Sequence, residues 1–183
     1  MESPSPAVVG VSKDATHRFS KVPSREIELV AGHGVLDDAH AGPTVKHRSR
    51  VKKDPTTPNL RQVHLIHEEF LALAAEHGYE LGAGDLGENV LTRGVDLLDL
   101  PRGTLLRLGS DAVVRITGLR NPCQQINDFR AGLLKLAVTR DEAGEIVRRT
   151  GVMSVVEASG VVRAGDLIEV VLPDEPHEAL EPV

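Results

Sequence analysis

The sequence predicts a mainly β domain with a few helices, barrel-like and closed or nearly closed. Three observations carry this: many short apolar runs, Gly and Asp turn signals between them, and only two stretches with helical spacing. The 183 residues suffice for one good-sized domain and are marginal for two. Hydrophobic residues make up 40% and charged residues 26%, but three Phe, one Tyr and no Trp leave the core to Val, Leu, Ile and Ala.

Taken in order, residues 2–6 read as a loose tail and residues 7–11 as a strand. Residues 25–31 alternate polar and apolar (Glu26, Ile27, Glu28, Leu29), the pattern of a half-buried strand. Residues 32–59, with Gly32, Gly34, Gly42, Pro43, Pro55 and Pro58, form a long irregular region. A strand follows at 61–66. A helix follows at 67–77, with Phe70, Leu73, Ala74 and His77 at helical spacing and Gly78 at its C-terminal cap. Strands are expected at 89–92, 104–108 and 112–117. Asp128 suits the cap of a second helix carrying Phe129, Leu133, Leu136 and Ala137 on one face, against which Gly132 counts. Strands return at 151–156 and 167–172, with turns at Gly160 and Gly165-Asp166, and the polar tail 174–183 is expected to fray.

The charge and composition exclude several functions. A net charge of −6 and few aromatic platforms argue against a nucleic-acid partner. No apolar stretch approaches membrane-span length, so no membrane partner is expected. Residues 1–6 lack the basic and apolar runs of a signal peptide, and one cysteine permits no intrachain disulfide; a reducing cytoplasm is expected.

Four groups could carry chemistry. Cys123 ends the run Gly118-Leu119-Arg120-Asn121-Pro122-Cys123, after a predicted strand. A lone cysteine is commonly a small buried hydrophobe. Here Arg120 and the N–H groups of a helix starting near Gln124 favour the thiolate, and polar neighbours count against simple packing. A basic stretch, Lys46, Arg48, Arg50, Lys52, Lys53 and Arg61 with His47 among them, faces only Asp54. It reads either as a solvated face or as an anion site, because arginine forks grip phosphate and carboxylate bidentately. His33, Asp37, Asp38 and His40, followed by His47, His64 and His67, admit a metal site, yet their spacing matches no zinc motif and such residues are ordinary turn formers. Residues 82–87 match G-x-G-x-x-G letter for letter, but they follow a helix and lead into a strand, which reverses the dinucleotide context; they read as a tight turn into Glu88 and Asn89.

Together these blocks resemble the MOSC family, named for the C-terminal domain of molybdenum-cofactor sulfurase. Asp38-Ala39-His40-Ala41-Gly42 looks like its Asp-x-His-x-Gly loop, and Gly84-Asp85-Leu86-Gly87-Glu88-Asn89-Val90 like its Gly-x-x-Gly-Glu-Asn stretch. Arg120 to Cys123 looks like the segment holding the family cysteine, and Gly151-Val152-Met153 through Gly160 and Gly165-Asp166 like its closing strands. Asp37 departs from the pattern, standing where a glycine often precedes the loop aspartate, and the basic insert 46–59 is longer than in a minimal member. The likeness divides the chain into a tail and first strand (1–24), a stand-alone MOSC domain (25–173) and a C-terminal tail (174–183).

The resemblance implies a barrel-like MOSC fold and a molybdenum-pterin cofactor whose metal is ligated by Cys123. Arg48, Arg50, Arg61 and Arg120 would hold its phosphate or an anionic substrate, and Asn89, Asn121 and His40 would line the pocket. The activity implied is reduction of N-hydroxylated compounds with an electron-donor protein. An alternative within the family is a sulfur carrier bearing a persulfide on Cys123, loaded by a sulfur-donor protein; pyridoxal phosphate binding is also associated with the family. A reading from another class is a non-enzymatic module for an anionic metabolite or partner, with Cys123 a buried spectator.

Overall fold

A two-residue alternation sets the strands. In Glu26–Val30, Ile27 and Leu29 are buried while Glu26 and Glu28 face water. The computed structural model describes residues 4–45 and 52–183. Within them lie β1 (Ala7–Lys13), β2 (Val22–Ser24), β3 (Glu26–Val30), β4 (Gly34–Val35), β5 (Val63–His67), α1 (Glu68–Glu76), β6 (Val90–Arg93), β7 (Leu105–Leu108) and β8 (Ala112–Leu119). Then come α2 (Gln125–Phe129), α3 (Leu134–Ala137), β9 (Val138–Arg140), β10 (Ile146–Arg148), β11 (Val152–Ala158), β12 (Gly160–Arg163) and β13 (Ile168–Val171).

Eight strands form the main sheet in the order β13-β7-β8-β11-β5-β6-β1-β2. Every pair is antiparallel except β5 and β6, which run parallel and need the crossover that α1 supplies. The sheet is not closed. Its first and last long strands meet through an isolated bridge, Ala7 with Leu167, and through the hydrogen bonds Val8 N to Asp166 O (2.8 Å) and Ile168 N to Pro6 O (2.9 Å). A three-stranded sheet, β12-β3-β4, packs Ile27, Leu29 and Val162 against Leu65, Val114 and Ile116 of the main sheet. On the opposite side, Phe70 and Ala74 of α1 form a second core with Ile66, Leu91, Ile126 and Leu133. Adjacent residues of β5, Leu65 and Ile66, point into different cores, so this strand is buried on both faces.

Three expectations change. The second helix is broken: Gly132 adopts φ +88° between α2 and α3, and Asp128 lies inside α2 rather than at its cap. The short strands β2, β4, β9, β10 and β12 join those read from the sequence. The polar tail is docked along β8, not frayed: Leu119 N donates to Glu181 O (2.8 Å), Val183 N to Leu119 O (3.2 Å) and Arg102 N to Glu178 O (2.8 Å), while Leu180 packs on the core. Gly118 permits this, since a Cβ there would stand 2.4 Å from Glu181 O. Among the described residues no helix is long and apolar enough to cross a membrane.

Gly151 is the tightest point of the sheet. Its φ is +80°, and a Cβ there would lie 1.9 Å from Leu65 O. Gly151→Ala is therefore expected to cost about 3 kcal/mol or more, or to abolish folding, as the collision is with backbone. Gly144→Ala, at φ +84° with nothing within 4 Å, should cost only about 1–2 kcal/mol of left-handed strain. Urea unfolding of both variants checks the contrast; equal losses would contradict it.

Candidate functional site

The turn between α1 and β6 shapes one wall. Gly84 and Gly87 both have φ +85°, and a Cβ at each would meet Lys21 O (2.4 Å) and Phe19 O (2.5 Å) respectively. The G-x-G-x-x-G letters thus serve close approach of residues 19–21 to the turn, and no helix follows them. Glu88, 1% exposed, accepts the Gly84 N–H at Oε1 (2.6 Å), while its Oε2 has no hydrogen-bond partner among the described residues. Burial pushes this carboxyl up to about 7, against the opposing pull of backbone N–H groups and Arg120.

Asp38 ties this turn to the long loop. Its carboxylate accepts from Lys21 Nζ (2.8 and 2.6 Å), from the His40 N–H (2.9 Å), from Asn89 Nδ2 (3.1 Å) and from the Asp14 N–H (3.3 Å). Burial alone would raise the carboxyl; the Lys21 ammonium and the backbone N–H of His40 outweigh it and hold it well below the usual carboxylate range. Asp37, just before it, has φ +64°, the only non-glycine in the left-handed region among the described residues. That conformation accounts for a glycine at this place in the family pattern, and aspartate is among the residues that tolerate it. Asn89 donates its amide hydrogens to Ser12 O and Asp38 and accepts the His64 N–H. Both its donors are spent on the protein, so its part is to clip β6 to the loop.

The cysteine loop leaves β8 at Leu119, which pairs with Val152, and Arg120 N donates to Gly151 O (3.0 Å). Arg120 is 7% exposed; its guanidinium lies 5.7 Å from the centre of the Phe19 ring and leaves Nη1 without a hydrogen-bond partner among the described residues. Burial lowers its pKa, while Cys123 and Glu88 pull it back up. Cys123 is exposed, with Sγ 3.5 Å from Gln125 Oε1; the buried-spectator expectation fails. Its carbonyl accepts the Ile126 N–H as α2 begins.

These walls enclose a cleft of about 780 Å³. Cys123, Arg120, Asn121, Asn89, Arg61 and His40 all line it, as does Lys52. Arg48 and Arg50, with Lys46 and His47, lie outside the described residues. Sequence reasoning missed Lys21 and Phe19, and it considered His64 only as a metal ligand. His64 instead donates Nε2–H to Thr150 O (2.7 Å), and burial with the charges of Arg120 and Arg61 keeps its pKa well below the ordinary value. Among the described residues no group of three or more His, Cys, Asp or Glu side chains is disposed to hold a metal.

The fold and cleft define a small β domain with one exposed thiol beside a buried cation. A family model, the MOSC domain, matches residues 39–169, and the chain belongs to the MOSC family. Among solved structures it is similar to the YuaD protein from Bacillus subtilis (TM-score 0.74, 23% identity, covering 94% of this chain and 99% of that one). It is also similar to YiiM from Geobacillus stearothermophilus (0.56, 18%, 90% and 72%) and YiiM from Escherichia coli (0.57, 20%, 96% and 74%). At these identities the likeness is one of fold. No curated protein sequence matches the chain.

Glu88 makes stability depend on pH. With its folded pKa raised, the native state holds a proton that the unfolded chain releases near 4.5, so stability falls as pH rises from about 4.5 to about 7 and is level above. Glu88→Gln removes this slope: the difference in unfolding free energy between variant and parent should shift by about 3 kcal/mol in favour of the variant between pH 4.5 and pH 8. Denaturant titrations at both pH values check it.

Proposed function

We propose that the cleft holds a molybdenum-pterin cofactor, that Cys123 ligates the metal, and that the protein is the catalytic component of a reductase for N-hydroxylated compounds. The observation that supports this most is Arg120: a buried guanidinium whose Nη1 has no hydrogen-bond partner among the described residues, lining the same cleft as an exposed thiol. A buried charged donor without a partner is costly in itself and suits an anionic ligand. Arg61 and Lys52 add positive charge to the same cleft and, with Arg120, suit the cofactor phosphate. A soft thiolate beside Arg120 suits the metal.

When bound, the group supplies two-electron redox chemistry. The net change is N–OH plus two electrons and two protons giving N–H and water, with the electrons delivered by an electron-donor protein. The chain's own residues do the holding: Arg120 neutralises and orients the anion, Asp38 and Asn89 keep the loops in register, and the exposed face of Cys123 leaves the site open to a redox partner.

That exposure also favours a second reading, a sulfur carrier with a persulfide on Cys123. Incubation with a cysteine desulfurase should then raise the protein mass by one sulfur, and Cys123→Ser should prevent it.

For the leading reading, protein from cells supplied with molybdate should carry near-stoichiometric molybdenum and pterin, both lost in Cys123→Ala. Arg120→Met, which removes a charged hydrogen bond worth about 2 kcal/mol, should weaken cofactor retention about thirtyfold. Full metal content in Cys123→Ala would refute the ligand role.

A further inference from the structure

Lys21 has no part in the cysteine-centred chemistry, yet it is an 8%-exposed lysine in the wall of the cleft. Its ammonium has three protons and no lone pair. Asp38 takes two of them, at Oδ1 (2.8 Å) and Oδ2 (2.6 Å). The next acceptor is His40 Nδ1, 3.3 Å away. That nitrogen has one competing arrangement: carrying a hydrogen itself and donating to Asp38 Oδ1 at 3.5 Å.

Counting partners decides between them. Asp38 Oδ1 already accepts from Lys21 and the His40 N–H, and Oδ2 from Lys21, Asn89 and the Asp14 N–H. Those five donors more than fill the roughly four lone-pair sites of a carboxylate. A hydrogen on Nδ1 would be a sixth donor. It would also point an N–H toward the ammonium and leave the third lysine proton buried without an acceptor, which is costly. With Nδ1 accepting from Lys21, the imidazole carries its hydrogen on Nε2.

We infer that Lys21 is a positioning residue that locks His40 as the Nε2–H tautomer, so that His40 offers the cleft a hydrogen-bond donor and no acceptor. No described residue takes that donor. His40 Nε2 has no hydrogen-bond partner among the described residues, the side chain is one-third exposed (33%), and the ring lines the cleft with His17 set edge-on at 5.1 Å. The ligand atom it suits is an oxygen lone pair, as found on a phosphate or an N-hydroxyl group. The ligand's identity rests on the reading of the cleft given above; the tautomer does not.

Two-bond proton–nitrogen NMR of the full, nitrogen-15-labelled chain at neutral pH tests this, with the His40 signals assigned by their absence in His40→Gln. The expected pattern for His40 is a protonated Nε2 and an unprotonated Nδ1. Lys21→Met should release the lock and move His40 toward the Nδ1–H form, now free to donate to Asp38, and Lys21→Arg should return the parent pattern. A protonated Nδ1 in the parent protein overturns the inference, as does a His40 pattern unaltered in folded Lys21→Met. If Lys21→Met does not fold, the parent spectrum still decides. The spectrum needs no cofactor, so a failed search for molybdenum leaves this result standing, and the reverse holds equally.

Discussion

One buried carboxylate organises this protein's cleft. Asp38 draws five hydrogen-bond donors from four places in the chain: Asp14 after β1, Lys21 in the following segment, His40 in its own loop and Asn89 at the start of β6. A buried charge is costly unless it is paired and hydrogen-bonded. Here the pairing is also the architecture. Lys21 can reach Asp38 only because Gly84 leaves room for the Lys21 carbonyl, and Asn89 can reach it only because the turn before it delivers Glu88 inward and Asn89 toward the loop. The family's Asp-x-His-x-Gly and Gly-Glu-Asn blocks, far apart in sequence, are two halves of one polar joint.

The other wall is built by backbone. Residue 151 must be glycine because β5 passes beneath it, and its carbonyl receives the Arg120 N–H. Arg120 is thereby buried without an ion pair among the described residues, against the Phe19 ring, while Cys123 three residues later returns to solvent. Burial and openness are thus divided between neighbours. The cation is sheltered, where its field is least screened, and the thiol is exposed, where another molecule can reach it.

Much of this was legible in the sequence where the signal is local. The alternation in 25–31 and the helical spacing with Gly78 reported β3 and α1 directly, and Cys123 and Arg120 stood out because only two residues separate them. Asp37 was noticed as a departure from a glycine, and its φ of +64° supplies the reason. What escaped has distant causes. Lys21 looked like any surface lysine because its partner is 17 residues away and across a turn. The periodicity of Phe129, Leu133, Leu136 and Ala137 suggested one helix, but a glycine at φ +88° splits it, and both halves still bury apolar residues in the same core. The tail misled by composition: its attachment runs through backbone N–H and C=O groups, to which polarity of side chains is blind.

That attachment has a consequence for how the protein comes into being. Residues 181–183 lie along the edge of β8 at Leu119, immediately before Arg120 and Cys123. A ribosome makes β8 and the cysteine loop well before it makes this strip. Likewise Ala7 and Val8 find their partners far along the chain, at 165–167. Such distant pairings are slow to form and leave strand edges bare during synthesis. Until the tail is laid down, the edge of β8 at Leu119, just before the cysteine loop, therefore stands uncovered.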